Sequence, residues 1–193
     1  MALEPKHISF YLLTLSRRVP LYASKHLLPE EEEAREMYLF ASEFLRENGF
    51  DHYEVSNAAR PGFRSRHNSV YWNGGDYLGI GPGAFSLLNR TRFCMLDGVE
   101  EFINAKNALE RLSKAEVLEH CDYFTEYVML SLRTKEGVSF ERIRSLSNEA
   151  FEKRAREKSA LWQKHGLCTV RDDGFSLTPE GFFVSNEMII QLL

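Results

Sequence analysis

From His7 to Leu15 the chain reads HISFYLLTL, an almost continuous apolar and aromatic run. Such a run predicts a strand buried on both faces of a parallel sheet. After a loop containing Pro20, Pro29 and the acidic residues Glu30 to Glu33 predict a helix start, because proline presets the first-turn backbone and carboxylates suit the positive end of the helix dipole. Ala34, Met37, Tyr38, Ala41, Phe44 and Leu45 recur at helical spacing and predict one buried stripe, with Asn48-Gly49 ending the helix. A second strand at about His52 to Ser56 would complete a strand, helix, strand unit with parallel strands and a right-handed crossover. One such unit cannot close a core. The chain therefore reads as though upstream strands were missing, either because it is a fragment or because a partner supplies them.

From about Lys114 the pattern turns helical. Val117, Cys121, Phe124, Val128 and Leu132 mark the core face of one helix, and Phe151, Ala155 and Trp162 that of another. Between Leu167 and Leu177 two short strand-like runs flank Asp172-Asp173-Gly174, and an Asp-Gly pair is a strong hairpin signal. Thr178 and Pro179 suit the N-cap and first position of a last helix running through Phe183, Ile189 and Ile190. Helix, helix, hairpin, helix is a winged-helix-like order, and a domain boundary is expected near residues 107 to 114.

Composition narrows the class. With 193 residues, 44% hydrophobic and 27% charged, the chain is of globular type. A net charge of -4 argues against a duplex nucleic-acid footprint over the whole surface. The helical region mixes Arg142, Arg144, Lys153, Arg154, Arg156 and Lys158 with Glu141, Glu149, Glu152 and Glu157, and its expected wing carries Asp172 and Asp173, which repel phosphates. Nucleic acid is therefore not the expected partner. Cys94, Cys121 and Cys168 are odd in number and far apart, which fits inert packing thiols rather than a disulfide framework or a close-spaced metal motif. No apolar run approaches the ~20 residues of a membrane span. The first residues lack signal-peptide sections, making the cytoplasm the expected compartment.

The chemistry concentrates in Arg66 to Ser86, RHNSVYWNGGDYLGIGPGAFS, which combines a histidine, aromatic rings and closely spaced glycines. A neutral His67 can ligate a metal or haem iron through one ring nitrogen while the other is held by a hydrogen bond. Tyr71 and Trp72 can form flat walls beside it; the alternative is a loop histidine bonded to backbone with both aromatics in the core. Gly79-Ile80-Gly81-Pro82-Gly83 is not a dinucleotide fingerprint, since its spacing is wrong and Pro82 removes a backbone donor. Those glycines serve either a ligand edge or a close strand approach. Asp76 reads as a turn cap or a tie to a neighbouring loop. Glu54 and Asn57 fall at a strand end, where polar side chains either face a ligand crevice or tie the strand to the next loop. His7 reads as structural, and His26, His52, His120 and His165 lack the spacing of a shared metal site.

In this order, LEPKHISFYLLTL, YEVSNAARPG, RHNSVYW, GDYLGIGPGAFS, YVMLSLRTKEGV and LTPEGFFVSN resemble the C-terminal half of the oxygen-independent coproporphyrinogen III oxidase-like family of radical S-adenosylmethionine proteins. The likeness is closest to its HemW-type haem chaperone branch and covers essentially the whole chain. It implies the last strands of a partial parallel (β/α) barrel over residues 1–110 and a helical, winged-helix-like domain over 111–193. By motif, it implies haem handling by His67 with Tyr71 and Trp72, and a cofactor cavity bordered by Gly81, Gly83, Ala84 and Phe85. The family binds a 4Fe-4S cluster through an upstream CxxxCxxC loop and takes most of its S-adenosylmethionine contacts from upstream strands. Neither is in this sequence, and the three scattered cysteines cannot converge on one cubane. Leu15-Ser16-Arg17 also departs from the acidic residue that usually follows the family's LT dipeptide.

The expected function is thus a portion of a protein that binds haem and passes it to an acceptor, or that has oxidase-like activity in porphyrin metabolism. In either case it is incomplete without the cluster domain, and no catalytic residue is assigned to this chain. The alternatives are a winged-helix module binding nucleic acid or protein, and a non-catalytic remnant of a split gene.

Overall fold

The computed structural model describes residues 3–193. Strands β1 (His7–Ser9), β2 (Asp51–Glu54) and β3 (Asn57–Ala59) form a sheet of order β1-β3-β2 in which both pairings are antiparallel. The expected parallel partners, β1 and β2, do run in the same direction, but β3 lies between them and they never pair. After β2 the chain reverses through Val55-Ser56 into β3, whose Ala58 and Ala59 are both fully buried. The first strand is also shorter than expected. Phe10 still donates its N–H to Ser56 O at 2.9 Å, but β3 offers no further backbone, and Tyr11, Leu12 and Leu13 are exposed.

Helix α1 (Glu31–Glu47) crosses between β1 and β2 and packs on β2. Its stripe is only partly as expected: Tyr38 and Leu45 are buried and Ala34 and Ala41 half-buried, whereas Met37 and Phe44 are exposed, with Phe40 stacked on Phe44. Beneath it, the His52 ring is enclosed by Phe10 and Tyr38 and accepts or donates at Nδ1 with Ser42 Oγ, 2.8 Å away. Burial lowers the His52 pKa below its ordinary value. The folded state thus binds this proton less readily than the unfolded chain, so its contribution to stability is complete above the unfolded value of about 6.5 and is lost as pH falls below it. We expect His52→Asn to flatten the loss of urea-unfolding stability between about pH 6.5 and 5 relative to the parent chain; parallel profiles would contradict it.

Helix α2 (Arg66–Trp72) follows, and then an antiparallel meander of β4 (Phe85–Leu88), β5 (Thr91–Met95) and β6 (Leu112–Val117), with α3 (Val99–Asn104) between the last two strands. Asn89 and Arg90 turn β4 into β5 with φ of 46° and 70°, the paired positive values of a tight hairpin turn. Asp76 ties down this turn, accepting the Asn89 N–H at 3.2 Å. Val117, expected on a helix face, lies in β6 and is exposed.

Helix α4 (His120–Ser131) leads into β7 (Val138–Ser139), α5 (Phe140–Leu146), α6 (Glu149–Lys164), β8 (Cys168–Val170) and β9 (Gly174–Leu177), with α7 (Pro179–Phe183) and α8 (Ser185–Leu192) closing the chain. The third sheet has order β7-β9-β8, all antiparallel. The β8–β9 turn forms where Asp172-Asp173-Gly174 predicts it, Arg171 N–H donating to Gly174 O at 2.8 Å. Helix starts follow side-chain chemistry: Asn148 Oδ1 accepts from Ala150 and Phe151 N–H, and Thr178 Oγ1 from Gly181 N–H. The expected last helix is split at Val184, with Ile189 buried and Ile190 exposed. Phe124, Val128, Leu132, Ala155 and Trp162 point inward as their spacing predicts, joined by Phe140, Ile143 and Phe175 in one core. Cys94 and Cys168 are buried, but Cys121, expected to pack, is exposed.

The first sheet is fastened to this helical part through backbone. Val55 N–H donates to Arg133 O and Lys135 N–H to Tyr53 O, both at 2.9 Å. The end of β2 therefore sits against the loop after α4.

Candidate functional site

Ser65 sets α2 by accepting the Asn68 N–H on its hydroxyl at 3.2 Å. Four residues apart on that helix, His67 and Tyr71 meet: His67 Nε2 and Tyr71 Oη are 2.8 Å apart, with ring centroids at 4.9 Å and planes at 82°. Both side chains are exposed. Tyr71 stands edge-on to Tyr77 at 4.6 Å, and Tyr77 exchanges two backbone hydrogen bonds with Leu87 of β4, at 2.8 and 2.9 Å. An aromatic row thus connects the imidazole to the second sheet.

The glycine segment continues from Tyr77 along that sheet. Gly79 donates to the Oγ of buried Ser86 at 2.9 Å, and a Cβ there would stand 2.2 Å from the Phe85 carbonyl oxygen, so only glycine permits this approach. The chain then turns through Gly81 and Gly83, with Gly83 N–H bonded to Leu96 O and Met95 N–H to Ala84 O. Leu78, Ile80 and Phe85 are left exposed around this turn, Ile80 at 90%. His67, Tyr71, Leu78, Ile80 and Phe85 are thus all exposed along this one stretch of chain.

Trp72 faces the other way. It lines a cavity of about 290 Å³ between α2 and the helices α4 and α5, together with Leu87, Tyr123, Tyr127 and Arg142. The trio expected as one wall is therefore divided, His67 with Tyr71 outside and Trp72 inside.

Glu54 and Asn57 form a buried knot. Glu54 is 0% exposed; it accepts the Ser56 N–H at 3.0 Å and the Asn57 side-chain amide, while Asn57 Oδ1 accepts the Ser9 hydroxyl. Burial pushes the Glu54 carboxyl above its ordinary pKa. This pair ties the ends of three strands, and Tyr53 beside it holds His7 Nε2 through its hydroxyl at 2.9 Å.

The cysteines lie apart, in β5, α4 and β8, and among the described residues no group of three His, Cys, Asp or Glu side chains could hold a metal ion. The donor set does not fit a 4Fe-4S cluster. Sequence pattern alone does not single out Tyr77, Tyr123 or Arg142 as site residues. Tyr77 does carry a signal, six residues beyond Tyr71 in the same aromatic and glycine-rich run; the other two become neighbours of α2 only through the fold.

Residues 118–184, from just before α4 to the end of α7, match the model of the HemN C-terminal domain. The heme chaperone HemW of Lactococcus lactis is 30% identical over 197 residues, covering 100% of this chain and 52% of that protein. The chain belongs to the HemW/HemN-like family of radical S-adenosylmethionine proteins. A mitochondrial radical S-adenosyl methionine domain-containing protein 1, from Danio rerio, is 31% identical over 97% of this chain and 46% of its own length. The solved structure of the radical SAM enzyme coproporphyrinogen III oxidase (HemN) from Escherichia coli shares the fold, with TM-score 0.69 at 16% identity, over 99% of this chain and 48% of that one. The HemW/HemN-like chain described here thus spans about half the length of the curated relatives it matches.

Proposed function

We propose that this HemW/HemN-like chain contributes the haem-handling surface of a haem chaperone, with haem or a related porphyrin as cargo for an acceptor protein. The observation that carries the reading is His67. Its imidazole is exposed, one ring nitrogen is held by the Tyr71 hydroxyl at 2.8 Å, and no described residue bonds the other. A hydrogen bond to one nitrogen fixes the ring so that the second can meet an iron. Leu78, Ile80 and Phe85 would accept the apolar face of the macrocycle, while Gly81, Gly83 and Ala84 form the rim that would border S-adenosylmethionine in a complete family protein. The relatives' names, heme chaperone HemW above all, support the choice.

In a complete family protein, a 4Fe-4S cluster with S-adenosylmethionine supplies radical chemistry. The cysteines of this chain do not fit that cluster, so its own residues support binding and presentation rather than oxidation of coproporphyrinogen. We read residues 1–110 as belonging with the barrel part, β6 pairing with it through β5, and the rest of 111–193, with the strand order β7-β9-β8 around two helices, as winged-helix-like. Asp172 and Asp173 are exposed at the tip of the wing, which opposes the nucleic-acid alternative. No described helix is long and apolar enough to cross a membrane; a cytoplasmic site of action remains part of the proposal.

Titration with haemin is expected to shift the Soret band on binding, and His67→Ala to weaken the apparent affinity about tenfold or more, a single iron ligand being worth well over the ~1.4 kcal/mol per decade. Superimposable titrations of the two proteins would remove His67 from the haem site.

A further inference from the structure

We propose that the cleft between the chain leaving β1 and the start of α8 binds an oxyanion, the carboxylate or phosphate group of a small ligand, on Arg133. Its volume, about 340 Å³, falls within the range of ligand sites. Thr14 borders it from the segment after β1, Ser185 and Asn186 from the first turn of α8, and Arg133 from the loop after α4.

The charge in this cleft is one-sided. Among the described residues Arg133 is the charged member of the lining, and no Asp or Glu borders the space. Arg133 is half-buried, and its hydrogen bonds within the protein go to neutral oxygens, Nη1–H to Met129 O at 3.1 Å and Nη2–H to Asn186 Oδ1 at 2.9 Å. Burial lowers its pKa from the ordinary value, with no carboxylate to oppose the shift. A half-buried cation without a counter-charge is unfavourable, and an oxyanion on the guanidinium fork relieves it. The groups beside it suit that role. Ser185 is 5% exposed, and its hydroxyl has no hydrogen-bond partner among the described residues. Asn186 gives its oxygen to Arg133, which leaves its amide N–H groups to donate. Glu180, the acid of the neighbouring α7, is paired with Arg35 at 2.9 Å. His67 does not line this cleft, and nothing in the haem reading requires it.

In the ¹⁵N-labelled full chain, sodium phosphate or sodium acetate, each titrated at constant ionic strength, is expected to move the backbone amide signals of Ser185 and Asn186 saturably. The amide of Phe93, in the second sheet, serves as the reference and should stay in place. The anion that binds more tightly names the group, phosphoryl or carboxylate, and either supports the site. Arg133→Gln should weaken that binding about tenfold or more. Asn186→Asp changes an exposed position, keeps the arginine and sets a fixed carboxylate beside it, so the Ser185 signal should then lose its response to added anion. Ser185 and Asn186 signals that ignore both anions, an equal response to uncharged acetamide, or an unchanged affinity in Arg133→Gln or Asn186→Asp would each overturn the proposal. No haemin is present in the titration, so the result is independent of the haem assignment.

Discussion

Gly137→Ala is expected to lower unfolding stability by more than about 3 kcal/mol, enough to leave much of the chain unfolded under ordinary conditions. Gly137 has φ of +70°, where an alanine alone costs of order 1 kcal/mol. The greater cost is steric. A Cβ would stand 2.1 Å from the Phe175 carbonyl oxygen and 2.6 Å from the Ser176 Cα, and both are backbone atoms of the central strand β9. Relief requires β9 to move, which breaks its pairing with β7 at Val138 and Ser139. Urea unfolding followed by circular dichroism should show a much lower midpoint or no cooperative transition; a midpoint at the parent value would mean that β7 and β9 do not approach as described.

Phe175→Ala is expected to cost about 3–5 kcal/mol. The side chain is 0% exposed and its ring lies 6.1 Å from that of Phe140 and 5.9 Å from that of Trp162. It joins the hairpin to α5 and α6, so its loss leaves a cavity that rigid helices on two sides cannot close. Chemical denaturation measures the loss, and the fluorescence of Trp162 should move toward that of a more polar environment. Phe151→Ala provides the contrast. Phe151 is half-buried at the edge of the core against Phe124, and a markedly smaller loss is expected there. Equal losses would contradict the placement of the core around β9.

The helical part was legible because its signals are local. Phe124, Val128 and Leu132 repeat at helical spacing, Asp172-Asp173-Gly174 marks a tight turn, and Thr178 carries the side-chain acceptor that a helix start needs. The first sheet was not. An apolar run shows that a segment seeks cover, but not which strand will pair with it, and the three-residue β3 is too short to announce itself. The same gap explains α1, where hydrophobic spacing predicted burial of Met37 and Phe44 that no described element provides.

At the candidate site, the separation of four between His67 and Tyr71 is readable as a helical contact. Trp72 is the next residue after Tyr71, and successive helical side chains diverge by about 100°. A motif that looks continuous in sequence is therefore split by the helix between an exposed imidazole surface and a cavity facing α4. The glycine segment left close approach and ligand contact both open in the sequence, and the fold supplies close approach at Gly79.

The central claim is that His67 is an iron ligand, and resonance Raman spectroscopy of the ferrous-haem complex tests it most directly through the iron–histidine stretching band. The parent chain should show that band, His67→Ala should lose it while Trp162 fluorescence and circular dichroism stay unchanged, and added imidazole should restore an iron–imidazole signal in the variant. Persistence of the band in a folded His67→Ala chain would contradict the assignment and move the haem ligand elsewhere.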